Sequence, residues 1–178
     1  MTRLHTLAHD QVDQETAELF DTVKRSIGKL PNLYATIGSN APAVLAHVLG
    51  TGATLAKSSL SKREQEAINL AVSEATGCDY CVAAHTLTGK LAGYTAEQTR
   101  ALRAGAYAED ARIDALVKFA LHLVQQRGTL DAAAVDGLRA AGFSDRQLVE
   151  IPLVVSAILF TNMVNRINDT TLDFPKVA

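Results

Sequence analysis

The chain has 178 residues, 48% hydrophobic and 20% charged, with a formal net charge of −2. That size and balance fit one ordinary globular domain that needs no structural metal or disulfide staple. Without a basic block it offers nothing to nucleic acid or an anionic membrane, and its two cysteines are too few for a disulfide framework.

Apolar residues recur at three- and four-residue intervals along the whole chain, and no segment alternates long enough for a strand. The spacing predicts helices at 11–28, 32–39, 42–57, 61–76, 78–91, 95–104, 110–127, 131–140 and 144–170. The opening residues, with His5 and His9, read as a tail without the apolar core of a secretory signal. Pro31 and Pro42 suit helix starts. Three capping boxes, Ser61 with Glu64, Thr95 with Gln98 and Ser144 with Gln147, mark helix N-termini, and Asp131 is a further N-cap. Gly28, Gly77, Gly93, Gly105, Gly128 and Gly142 fall where helices end and a left-handed residue is needed.

His47 and His122 lie inside helices, where surface or core placement is expected over a place in a site. In the last helix Pro152 should introduce a bend. Ile151, Val154, Val155, Ile158, Leu159 and Val164 read as a core face or equally a subunit interface. Asn162, Asn165 and Asn168 recur every three residues, fit a solvated stripe and are assigned no chemistry. The run Ile151 to Phe160 is shorter than the ~20 residues that span a bilayer, so the expectation is a cytoplasmic protein.

The turn around Leu91-Ala-Gly-Tyr94 returns 49 residues later as Ala140-Ala-Gly-Phe143, and the same offset pairs Arg63 with Arg112 and Ile68 with Val117. Two related three-helix units follow from this. Cys78, Cys81 and His85 have no counterparts in the second copy.

The stretch that carries chemistry is Glu66 through His85. Gly77 ends one helix and Cys78 starts the next, where unpaired N–H groups and the dipole favour a thiolate. At about 100° per residue, Cys78, Cys81 and His85 share one helix face. His85 comes within reach of Cys81, the two sulfurs can join, and Glu66 on the preceding helix can orient the imidazole if the helices form a hairpin. Packing of two buried thiols, and zinc held by Cys78, Cys81, His85 and a carboxylate, are the competing readings.

A glutamate twelve residues before C-x-x-C, with a histidine four residues after it, resembles the alkylhydroperoxidase D family within the carboxymuconolactone decarboxylase-like superfamily. Glu66, Cys78, Cys81 and His85 fill all four positions, and Leu60-Ser-Lys-Arg-Glu and Tyr80-Cys-Val-Ala-Ala-His are similar too. The resemblance implies an all-α multihelical bundle over 1–178, the first 57 or so residues being a helical extension. It implies a homo-oligomer, trimer or hexamer, and a peroxidase in which Cys81 attacks peroxide and Cys78 resolves it. That cycle needs an external dithiol and no metal or other cofactor. Helix position alone favours Cys78 as the more acidic thiol. Tyr80 stands where well-known members carry a second histidine, so part of their proton relay is missing. The superfamily's other activity, decarboxylation of a lactone acid, would use Glu66 and His85 without the cysteines.

Overall fold

The expected helical spacing is realised throughout the computed structural model, which describes residues 2–177. After a 3-10 turn at His9–Gln11 come α1 (Gln14–Ile27), α2 (Asn32–Asn40), α3 (Pro42–Leu55), α4 (Lys62–Ala75), α5 (Asp79–Leu91), α6 (Ala96–Arg103), α7 (Ala111–Gln125), α8 (Ala132–Ala140) and α9 (Asp145–Asn168). No strand occurs among the described residues. Every helix lies within three residues of its expected ends. The largest difference is at α1, where Asp13 accepts the Thr16 N–H at 2.8 Å and so holds the first turn back to Gln14. All three capping boxes form, and the six helix-end glycines all adopt positive φ.

α4 is the hub. It packs on α5, α6, α7 and α9, and it serves two cores at once. Ile68 and Val72 enter a large cluster with Phe20, Leu33, Leu45, Cys81, Leu116 and Ile151. Ala67, Leu70 and Ala71 enter a smaller one with Tyr94, Leu102, Tyr107 and Val117. The first three helices therefore share the large core rather than standing apart from it. They meet at Gly38, where an added Cβ would lie 2.3 Å from Phe20 Cε1 and 2.9 Å from Leu45 Cδ2.

The doubled sequence is a doubled structure. Arg63 stacks 4.1 Å over the Tyr94 ring and donates to the Gly93 carbonyl at 3.3 Å. Its counterpart Arg112 stacks 3.7 Å over the Phe143 ring and donates to the Ala141 carbonyl at 3.2 Å. The turns close identically, with Tyr94 N on Gly89 O and Phe143 N on Leu138 O, both at 3.1 Å. In each unit a long helix supplies an arginine that clamps the aromatic turn before the third helix.

α9 runs through Pro152 as one helix, with the proline ring on its exposed side. Among the described residues it alone is long and apolar enough to cross a membrane, a property the shorter Ile151–Phe160 run did not reveal. Ile151, Val154, Val155 and Ile158 face the core. The asparagines are not a solvated stripe. Asn162, Asn165 and Asn168 are at most 3% exposed, because each donates to a buried or half-buried partner on a different element.

Gly38 gives a packing test. Gly38→Ala should destabilise the fold by about 1–3 kcal/mol, since the added methyl meets the fully buried Phe20 ring. Gly137→Ala, in the middle of α8 with open space around its Cβ, should stabilise by about 0.5–1 kcal/mol. Urea denaturation of both variants decides; equal effects would show that the close approach is absent.

Candidate active site

The α4–α5 junction builds the site. Gly77, at φ +68°, turns the chain, and the Cys78 N–H closes on the Ser73 carbonyl at 3.0 Å. Cys78 is then the N-cap of α5, in the position usually held by serine or aspartate, and its sulfur accepts the Cys81 N–H at 3.4 Å. Both cysteines are free thiols and nearly inaccessible.

Their environments separate them. The Cys78 thiol is held below its usual range, chiefly because its sulfur accepts hydrogen bonds from the Cys81 side chain and, against the cost of burial, from the Cys81 backbone. The Cys81 thiol is pushed up, first by holding its proton toward Cys78 and then by burial. The more acidic sulfur of the pair is therefore Cys78, through its hydrogen bonds with Cys81. Access points the other way. Cys81 lines a cavity of about 590 Å³, and Cys78 is not among its lining residues. From α9, Asn165 Nδ2 donates to Cys81 Sγ at 3.2 Å.

Glu66 and His85 do come together. Glu66, 0% exposed on α4, accepts from His85 Nδ1 at 2.7 Å and from Thr88 Oγ1 at 2.8 Å, both on Oε2. Lys62 Nζ lies 2.8 Å from Oε1, an ion-pair approach outside hydrogen-bonding geometry. Burial alone would raise this carboxyl, but the His85 and Lys62 partners override it and hold it at about 2. An ionised carboxylate only accepts, so Nδ1 carries the proton and Nε2 is left for the cavity, which His85 also lines. His85 and Cys81 line one cavity, and the imidazole is anchored on Glu66 and Thr88.

Tyr80 has a different task from a proton relay. Its hydroxyl donates to Asp173 Oδ1 at 2.7 Å and accepts the Leu33 N–H at 3.3 Å, and burial pushes the phenol up. Asp173 also pairs with Lys29 at 3.0 Å, and the Phe174 ring meets the Tyr80 ring edge-on at 5.4 Å. The segment after α9 is in this way strapped across the cavity beside Cys81. Four site residues escaped the sequence reading. Lys62 and Thr88 touch Glu66, Asn165 touches sulfur, and Tyr34 lines the cavity near enough to Cys81 for that sulfur, after burial, to raise its phenol. His47 lines the same cavity, against expectation. Helical spacing held a signal only for Lys62, one turn before Glu66, and Thr88, three residues past His85. Among the described residues no group of three His, Cys, Asp or Glu side chains is arranged to hold a metal.

Residues 42–122 match the carboxymuconolactone decarboxylase family. No curated protein matches the chain. Among solved structures, the alkylhydroperoxidase AhpD core of a peroxidase-related protein from Ralstonia eutropha JMP134 is similar, with TM-score 0.87 and 20% identity over 97% of this chain and 92% of that one. A peroxidase-related protein from Silicibacter sp. TM1040 gives TM-score 0.81 and 26% identity over 96% and 94%. The debrominase Bmp8, solved with 2,3,4-tribromopyrrole, gives TM-score 0.79 and 19% identity over 97% and 92%. These chains share the all-helical fold along nearly their whole length.

The Glu66 carboxyl sets an acid limit on stability. Its folded value of about 2 lies below the ordinary carboxylate value, so its contribution is complete above about pH 5 and drains away as pH falls toward 2. About 3 kcal/mol of stability should be lost over that interval through this group. In Glu66→Gln that share of the acid dependence should vanish, while stability at neutral pH falls. Denaturant melts between pH 2 and 7 test this; parallel curves for the two proteins would contradict it.

Proposed function

We propose, for a chain whose residues 42–122 carry the carboxymuconolactone decarboxylase family region, that it reduces peroxides through a Cys81–Cys78 dithiol/disulfide cycle. One observation carries the reading. A C-x-x-C pair caps α5 with one sulfur opening onto a cavity whose wall also holds the Glu66–His85 pair.

The chemistry balances within these residues. Cys81 gives up its proton, and its sulfur attacks the terminal oxygen of ROOH. The O–O bond breaks, the sulfur becomes a sulfenic acid, and the leaving alkoxide takes a proton to become ROH. In the proposed cycle His85 Nε2 accepts the thiol proton and returns it to the alkoxide, and the Glu66 carboxylate stabilises the imidazolium between those events. Cys78, the more acidic sulfur, condenses with the sulfenic acid and releases water. An external dithiol then restores both thiols. Attack by Cys81 is favoured by access and resolution by Cys78 by its acidity, so the two assignments divide the work between the sulfurs.

The cycle needs re-reduction, which suits a reducing compartment such as the cytoplasm. Val149, Met163 and Ile167 on α9 are 51–73% exposed, which supports a homo-oligomer, trimer or hexamer, with an apolar face to cover. Light scattering that gave only monomer at micromolar concentration would remove that part of the proposal. Lactone-acid decarboxylation by Glu66 and His85 would survive loss of either cysteine, which separates it cleanly.

Peroxide should convert the pair to an intramolecular disulfide, seen by mass spectrometry as loss of two hydrogens. Cys81→Ser should abolish turnover, and Cys78→Ser should allow one attack and stall, leaving a sulfenic acid on Cys81 for a trapping reagent. Labelling of Cys78 in Cys81→Ser, with faster peroxide loss, would exchange the roles. His85→Ala should slow the reaction about a hundredfold near neutral pH and recover at high pH, where the thiol ionises unaided.

A further inference from the structure

Three asparagines project from one side of α9 into the protein, and they do different things. Asn162 Nδ2 donates to Thr76 Oγ1 at 2.8 Å and its Oδ1 accepts from Ser73 Oγ at 3.3 Å, a complete pairing at the end of α4. Asn168 donates to Thr36 and Thr170, and its Oδ1 accepts the backbone N–H groups of Arg3 and Leu4. Asn165 points its amide N–H at the Cys81 sulfur, 3.2 Å away, and its Oδ1 is buried without a donor among the described residues.

A core amide ordinarily satisfies both ends. Asn165 satisfies only the end that meets sulfur. A thiol or disulfide sulfur is a weak acceptor, while an anionic sulfur is a strong one. The N–H···S contact is therefore worth most in the reduced, ionising pair and least in the disulfide.

We propose that Asn165 is a further active-site residue, whose amide N–H binds the Cys81 sulfur as it becomes anionic and so biases the Cys78–Cys81 couple toward the dithiol. This rests on reading the pair as a redox centre. The groups around the sulfurs otherwise resist negative charge there. Burial disfavours the anion at both sulfurs, and Asp79 of α5 adds an unfavourable charge beside Cys78, while the neutral phenols of Tyr80 and Tyr34 bring no charge to offset it. Glu66, Lys62 and His85, which line the same cavity, are engaged with one another. Asn165 and Thr161 on α9 are the side chains that favour the Cys81 thiolate, and Asn165 favours that of Cys78 as well. Reduction takes two electrons and two protons from an external dithiol. The protein S–S bond breaks as another forms in the reductant, and the donor to Cys81 makes that exchange more favourable.

The experiment equilibrates wild type, Asn165→Leu, Asn165→Asp and Asn162→Leu in graded dithiothreitol redox buffers and reads the thiol fraction by alkylation and mass. A second arm follows iodoacetamide alkylation against pH. Both Asn165 variants should shift the equilibrium toward disulfide about tenfold, a potential about 30 mV more negative, and should move the alkylation midpoint to higher pH. The aspartate should act more strongly, since it replaces a donor with a negative charge. It also keeps the shape and polarity of the site, so it carries the test if the leucine variant does not fold. Asn162→Leu should lower thermal stability and leave the potential in place. Wild-type potentials and profiles in the Asn165 variants would overturn the proposal, and so would an equal shift in Asn162→Leu, which would make loosened packing the cause. Peroxide is not consumed in either arm, so failure to reduce peroxide counts against the function proposed above and not against this assignment.

Discussion

The rest of the site depends on one buried charge. A carboxylate with no exposure costs several kcal/mol unless its oxygens are matched, and Glu66 is matched on three sides by His85, Lys62 and Thr88. Those partners come from α4 itself and from α5, so the pairing locks the two helices in register across the Gly77 turn. Register is what matters for chemistry. The same turn that lets His85 meet Glu66 sets Cys78 at the head of α5 and turns Cys81 toward the cavity. The charge that orients the imidazole also fixes its tautomer, because an ionised carboxylate can only accept. Structure and proton placement follow from the same contact.

The frame around this contact is built twice and used once. The arginine-on-aromatic clamps at Arg63–Tyr94 and Arg112–Phe143 have matching stacking and matching turn hydrogen bonds. Each anchors a short third-helix turn against its long helix, which is a structural task that both halves need. The first unit alone carries the cysteines and the histidine, and its long helix α4 lies between two hydrophobic cores. The second unit supplies α9, which closes over the sulfurs from the opposite side. One hairpin frame bears the cysteines and the histidine, and the other covers them.

That cover is polar where it touches the cysteine pair. α9 buries aliphatic residues along its first half and asparagines along its second. The segment that follows it returns over Tyr80 through Asp173 and Phe174. One consequence is that Tyr80, the residue before the second cysteine, serves as an anchor for the C-terminal strap. The cavity is walled by residues of α1, α2, α3, α4, α5 and α9, so the early helices help to enclose it.

Helix number, helix ends and the turn repeat were legible in the amino-acid order because they depend on local physics: capping boxes, positive-φ glycines and apolar period act within a few residues. The Glu66, Cys78, Cys81 and His85 constellation was legible for the same reason, since α5 spacing and one tight turn relate all four. Asn165, Tyr34 and His47 were not. A polar residue repeating every three positions on a helix fits solvent as well as a core, and Asn165 lies 84 residues from Cys81 in the chain. Only the packing of α9 against α4 and α5 turned those amides inward. Sequence determined which groups could react, because reactivity needs particular side chains at helical spacing; tertiary structure decided which sulfur opens to the cavity and which amide holds it, because access and long-range donors exist only after the helices are packed.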